Sequence, residues 1–190
     1  MSLVTCYLSL VTKKMKRVYP KEENCMNCRL CEVACIVEHS KSREPIGAYF
    51  VEGLAFNLAA TEEWIDPAEA LEAGKKNPLN RAVVSRNGYS SISTNCRHCS
   101  EASCVLACKN GSLYYDEEGR VRVNEERCVG CWMCLMACEY GAITRNPSVK
   151  NVPRVKNNGI NHHCDLCPER TQPACVMVCP TGALVYEERK

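Results

Sequence analysis

Residues 25–35 read Cys25-Met-Asn-Cys28-Arg-Leu-Cys31-Glu-Val-Ala-Cys35, four cysteines spaced C-x2-C-x2-C-x3-C. The same spacing returns at Cys128, Cys131, Cys134 and Cys138. Two looser versions lie at Cys96, Cys99, Cys104 and Cys108, and at Cys164, Cys167, Cys175 and Cys179, the last followed by Pro180. Of the 17 cysteines among 190 residues, only Cys6 falls outside these quartets.

The spacing has a physical reason. Three thiolates two residues apart, on a loop wrapped around a small cubane, each reach a different iron. The fourth sits about one helical turn further on and points away, so in two-cluster ferredoxins it binds the other cluster. Four quartets then make two such units and four [4Fe–4S] clusters. Structural zinc takes two short Cys pairs separated by a longer loop, which the second and fourth quartets resemble and the first and third do not. Disulfides fit poorly, because the cysteine number is odd and no secretory leader is evident.

Composition agrees that burial alone does not close this fold. The chain is 46% apolar with cysteine included, about 37% without it, and holds two Phe and two Trp. That is thin for a self-sufficient core. No stretch reaches the ~18 apolar residues of a membrane helix. A net charge of +2 excludes the basic stripe of a nucleic-acid binder. Cysteine-rich chains without a leader are expected in the cytoplasm and to use sulfur for metal.

The quartets end in similar words: Cys108-Lys-Asn-Gly111, Cys138-Glu-Tyr-Gly141 and Cys179-Pro-Thr-Gly182. Glycine three residues on predicts a helical turn ended at positive φ and followed by a short strand. GSLYYDEEGRVRVNEERC after Cys108 predicts a β-hairpin leading into the third quartet. The first quartet lacks the glycine, so its helix is expected to run on and the chain to leave the ferredoxin path. Sixty residues separate Cys35 from Cys96. Within them Asp66-Pro67-Ala68-Glu69 predicts a helix start and Gly74 its stop. An excursion of that length reads as a docking surface rather than a mere connection. Met15 begins a segment suited to a short strand before the first quartet.

Four quartets, a long excursion after the first and Cys-Pro-Thr-Gly-Ala-Leu closing the last resemble the four-cluster iron–sulfur subunits of dimethyl-sulfoxide reductases, formate dehydrogenases, formate hydrogenlyase and carbon monoxide dehydrogenase. The resemblance spans residues 20–190. It implies an α+β fold of two bacterial-ferredoxin-like dicluster units with an inserted segment after the first motif. Residues 1–19 are then an extension, 20–44 with 150–190 the outer unit, 45–90 the insertion and 91–149 the inner unit. It further implies four clusters held by exchanged ligands. Cys25, Cys28 and Cys31 share one with Cys179; Cys164, Cys167 and Cys175 share the next with Cys35. In the inner half Cys96, Cys99 and Cys104 pair with Cys138, and Cys128, Cys131 and Cys134 with Cys108. Asn27 to Cys35, with Val37-Glu38-His39-Ser40, is most similar to the carbon-monoxide-dehydrogenase-associated subunit.

All sixteen ligand positions being Cys leaves no iron open to substrate, so the chain is expected to be a wire and not an enzyme. The expected donor is carbon monoxide dehydrogenase and the acceptor a hydrogenase or flavoprotein, in an anaerobic cell. A formate dehydrogenase, hydrogenlyase or molybdopterin oxidoreductase is the alternative partner; an iron–sulfur redox sensor or a zinc scaffold is the alternative class. Localisation is expected to be cytoplasmic, with membrane association only through a partner complex. His98, His162 and His163 are expected to face water more often than not, and Trp132 to lie over a cluster. Arg29, Arg97 and Lys109 either stabilise reduced clusters or are simply solvated. No nucleotide fingerprint appears.

Overall fold

A computed structural model of the chain describes residues 15–52, 81–87, 90–146 and 160–189. Cys6, the helix start at Asp66-Pro67 and its stop at Gly74 lie outside the described residues, as does most of the insertion.

Helix α1 (Leu30–Glu38) carries Cys31 and Cys35, and it does run on past its quartet. The helices of the later quartets are shorter: α2 (Ser103–Ala107), α3 (Met133–Ala137) and α4 (Ala174–Met177). Gly111, Gly141 and Gly182 follow their quartets at φ 61, 60 and 63°. Nothing lies within 4 Å of a Cβ built on any of the three, so the requirement is conformational, not steric. Gly182→Val is expected to cost about 1–2 kcal/mol of stability, read by anaerobic chemical unfolding, with Gly182→Asn costing less.

Four two-stranded antiparallel sheets tie the helices together. The first and last strands pair with each other: β1 (Arg17–Pro20) lies against β8 (Leu184–Glu187), Val18 opposite Tyr186. Strand β2 (Ala82–Asn87) pairs with β3 (Ser90–Asn95), β4 (Leu113–Tyr115) with β5 (Val121–Val123), and β6 (Thr144–Asn146) with β7 (Ile160–His162). The β4–β5 hairpin is the one expected from Asp116-Glu-Glu-Gly119. Gly119 takes φ 82°, and the Asp116 carboxylate accepts the Glu118 and Arg120 amides at 3.0 and 2.8 Å.

Helix α1 packs on α4, and α2 on α3. First and fourth quartets therefore meet, as do second and third. Each half has only a small core. Val18, Val84, Leu166 and Leu184 gather with Cys31, Cys164 and Cys175 in one; Ala102, Leu113 and Val121 form the other. The β2–β3 hairpin was not anticipated from the sequence. It packs against α1 and β1, with the Val84 amide donating to the buried Glu32 carboxylate. At the start of the insertion Gly47–Val51 forms one π-helical turn, and Ala48 packs on Ile36. A Cβ on Gly47 would stand 2.8 Å from that of Ser42, so this turn needs its glycine.

Candidate metal centres

The thiols gather by exchange between quartets. One cavity, with an empty volume of about 350 Å³, is lined by Cys96, Cys99, Cys104 and, from the next quartet, Cys138. A second, of about 290 Å³, brings Cys164, Cys167 and Cys175 together with Cys35. A third, of about 330 Å³, joins Cys128, Cys131 and Cys134 to Cys108. Cys25 and Cys179 pack against the outer core cluster that contains Cys31, and Cys28 is close enough to Cys31 to add, after burial, to its raised pKa. We label these groups by position along the molecule: site I (Cys25, Cys28, Cys31, Cys179), site II (Cys164, Cys167, Cys175, Cys35), site III (Cys96, Cys99, Cys104, Cys138) and site IV (Cys128, Cys131, Cys134, Cys108).

The loops that shape these sites are strained in a repeated way. The residue two after the first cysteine is left-handed in every quartet: Asn27 (φ 58°), His98 (44°), Gly130 (65°) and Leu166 (63°). Arg29 and Trp132, each one after the second cysteine, are left-handed too. Non-glycine residues in this region cost of order 1–3 kcal/mol each and persist where surroundings fix them. The geometry turns successive amides inward, the nest arrangement found around anionic Fe–S sites. The His98 amide donates to Cys96 Sγ and the Leu166 amide to Cys164 Sγ, both at 3.4 Å. Past the turn glycines, the Leu113 and Ala142 amides donate to Cys108 and Cys138 Sγ at 3.5 and 3.4 Å. At Cys179 burial pushes the thiol pKa up, but the Leu184, Ala183 and Thr181 amides and the Thr181 hydroxyl outweigh it and bring it below the usual value.

Two observations test what such groups can hold. Four sulfurs about 2.3 Å from one tetrahedral zinc stand about 3.8 Å apart. Among the described residues no three cysteine thiols lie within 4.8 Å of one another, which suits a cubane and not a single ion. Second, buried polar atoms without partners sit beside the cysteines: Arg17 Nε, Asn27 Oδ1, Arg29 Nε, both Asn95 amide atoms and His98 Nε2. Most are donors, or become so by rotation of an amide, and an anionic core would satisfy them. Burial also pushes Cys96 up to about 12 and Cys31, Cys104 and Cys167 to about 11. Thiolates there need a compensating cation, as metal-coupled sites do.

The histidines differ from expectation. His98 is fully buried, and His162 and His163 are nearly so. His98 Nδ1 accepts the Val121 amide at 3.1 Å, while His163 Nε2 donates to the Val121 carbonyl at 3.1 Å. Two rings thus clamp both polar groups of one strand residue. Desolvation, and then the neighbouring His163, bring His98 down to about 3, so it is neutral. Their neighbours are ligand positions, which fixes their loops inside the molecule; the polar sequence around them hid that. Trp132 lines site IV, as expected of a cover.

The sequence reading also missed a polar network under site II. The Arg81 amide donates to Cys35 Sγ at 3.2 Å, and its guanidinium pairs with Asp165. His39 Nε2 donates to the same carboxylate at 3.1 Å, and His39 Nδ1 lies 2.7 Å from the Cys35 carbonyl. Burial works against the charge on Asp165, yet His39 and Arg81 hold it below the ordinary carboxylate range. Asp165 between Cys164 and Cys167 was visible in sequence. Its partners lie 84 and 126 residues away and were not.

A 4Fe-4S dicluster domain model matches residues 88–189. An "Iron-sulfur protein" of Rhodospirillum rubrum is 34% identical over 174 residues, covering 88% of this chain and 79% of its own length. The "Electron transport protein HydN" of Escherichia coli K12 is also 34% identical, covering 87% and 83%. The "Thiosulfate reductase electron transfer subunit PhsB" of Salmonella typhi is 30% identical, covering 87% and 71%. Among the described residues no helix is long and apolar enough to cross a membrane.

Proposed function

The chain belongs to the 4Fe-4S dicluster family of iron–sulfur electron-transfer proteins, an electron-transfer subunit and not a catalyst, and on that premise we propose that it is a four-cluster wire. One observation carries the count of four: each of three cavities is lined by three thiols of one quartet and the fourth thiol of its partner quartet. The four quartet cysteines not in these cavities make site I, and Cys6 stands outside. The chemistry the bound clusters supply is one-electron storage and release. The chain's own part is to hold sixteen thiolates and to aim amides at them.

The proximities support an order. Cys31 contributes to the raised pKa of Cys175, linking sites I and II; Cys96 does so for Cys164, linking II and III. Cys134 raises Cys104, linking III and IV. Electrons then pass I–II–III–IV or the reverse. Cys28 of site I and Cys131 of site IV are the exposed cysteines among those described, each at one end of this order. Exposed apolar side chains flank both: Met26, Leu30 and Met177 near site I; Met133 and Met136 near site IV. These ends suit contact with redox partners.

Residues 20–44 with 150–190 form the outer unit in this reading, 91–149 the inner, with 1–19 an extension and 45–90 an insertion that docks a partner. The favoured donor is carbon monoxide dehydrogenase, on the word Asn27 to Cys35 with His39-Ser40, and the acceptor a hydrogenase or flavoprotein. A molybdopterin or formate oxidoreductase is the second reading, supported by the 30% identity to a thiosulfate reductase subunit. Metal analysis of anaerobically purified protein is expected to give about sixteen iron and sixteen sulfide per chain. Stoichiometric zinc overturns the wire. Recovery of a formate enzyme in place of carbon monoxide dehydrogenase, by pull-down from the native anaerobic cell, overturns the favoured partner alone.

A further inference from the structure

Charge around the four sites is uneven. At site I Arg29 pairs with Glu32 at 3.7 Å. At site II Arg81 and His39 share the one carboxylate of Asp165. The lining of site IV carries an amide, Asn161, whose Nδ2 donates to Cys134 Sγ at 3.2 Å, and no charged side chain. Site III differs. Arg17 and Arg97 flank it, and neither has a carboxylate within ion-pair distance among the described residues.

Both arginines are fixed in place by packing. Arg97, between Cys96 and His98, has its guanidinium 5.4 Å from the Tyr19 ring centre and 5.0 Å from that of Tyr140. Arg17 comes from strand β1, which pairs with β8, and its Nε is buried without a partner. Together they line an open groove whose floor includes Cys99, Cys104 and Cys138. Glu101 and Glu139 line it as well and are exposed to water. At Cys99, Arg17 outranks Glu139 in its effect on the thiol.

From this charge balance we propose that Arg17 and Arg97 make site III the cluster of highest potential among the four, a resting place for the electron inside the wire. The inference rests on the four-cluster reading above. Taking up one electron adds one negative charge to the cluster and breaks no bond. An uncompensated guanidinium beside it favours that added charge, whereas a guanidinium already paired to a carboxylate favours it much less. Half-buried positions keep these charges from being fully screened by salt. An electron entering from either exposed end then settles at site III before it is passed on. Strand β1 supplies part of that stabilisation, through Arg17, to a site built from the second and third quartets.

The test is an anaerobic redox titration of the cluster-loaded full chain, followed by electron paramagnetic resonance, with dithionite as reductant. Cys104→Ser marks which signal belongs to site III. In the unaltered protein the marked cluster is expected to reduce first. Arg17→Gln and Arg97→Gln each move its midpoint to lower potential, the double variant moves it further, and Arg17→Lys restores most of the value. The other three midpoints stay in place. Unchanged midpoints in both single variants, or an equal shift of all four clusters, overturn the proposal. If Arg17→Gln does not load iron, Arg97→Gln with Arg17→Lys decides it. Iron well below sixteen per chain in the unaltered protein instead overturns the four-cluster reading, and so separates the two failures.

Discussion

Stripping the iron with a chelator under anaerobic conditions is expected to abolish the cooperative unfolding transition altogether. The reason lies in how little else holds the chain. Among the described residues every sheet has two strands, and isolated two-stranded hairpins are marginal in water. The helices span four to nine residues, below the length at which a helix stands alone. Among the described residues the fully buried part of the outer core has four aliphatic side chains besides its cysteines, and that of the inner core three residues, one of them alanine. Without a metal core, the four thiols that line each site have nothing between them to hold them together. Left-handed loop residues lose whatever fixes them. Ligation free energy is then folding free energy. Far-UV circular dichroism through a thermal scan, before and after chelation, reads the effect. A stripped chain that still melts cooperatively would show that the fold is built first and filled afterwards.

The second large effect concerns ligand exchange. Cys138→Ala is expected to lower iron from about sixteen to about twelve per chain and to bring end-to-end electron transfer to background. The cluster lost is the one shared with Cys96, Cys99 and Cys104, whose cavity Cys138 closes. Combining Cys138→Ala with Cys96→Ala separates exchange from its alternative. With exchange, both changes strike one cluster, and the pair loses no more iron than either alone. If each quartet closed on itself, the pair would strike two clusters and leave about eight iron. Cys6→Ala, outside every quartet, leaves the count unchanged.

Much of the site was legible because its geometry is local. C-x2-C-x2-C-x3-C dictates a loop, a helical turn and a fourth thiol facing elsewhere, and the glycines three residues on mark where each turn must end. The Asp116–Gly119 hairpin was legible for the same reason: its turn chemistry sits within four residues. What escaped was long-range or depended on burial. Asn87-Gly88 between alternating segments is a strong hairpin signal, yet nothing local says that the hairpin covers α1. His98 reads as a polar loop residue. Its burial follows only once β5 is laid over it, where Val121 supplies the amide. Nothing in the sequence around Arg17 marks it, because the cysteines whose groove it lines lie 82 to 121 positions further along the chain.

The pairing of β1 with β8 has a consequence for biosynthesis. Val18 meets Tyr186, so the first strand leaves the ribosome long before its partner exists. At 5–20 residues per second the wait is roughly ten to thirty seconds. Through that interval Cys25, Cys28 and Cys31 have neither the closing strand nor Cys179, while the second and third quartets are already complete and adjacent in sequence. If the centres load as the chain emerges, the second and third quartets are available first. The nascent first quartet is a window of vulnerability to oxygen and to stray metal, and it shuts only when the last strand is released.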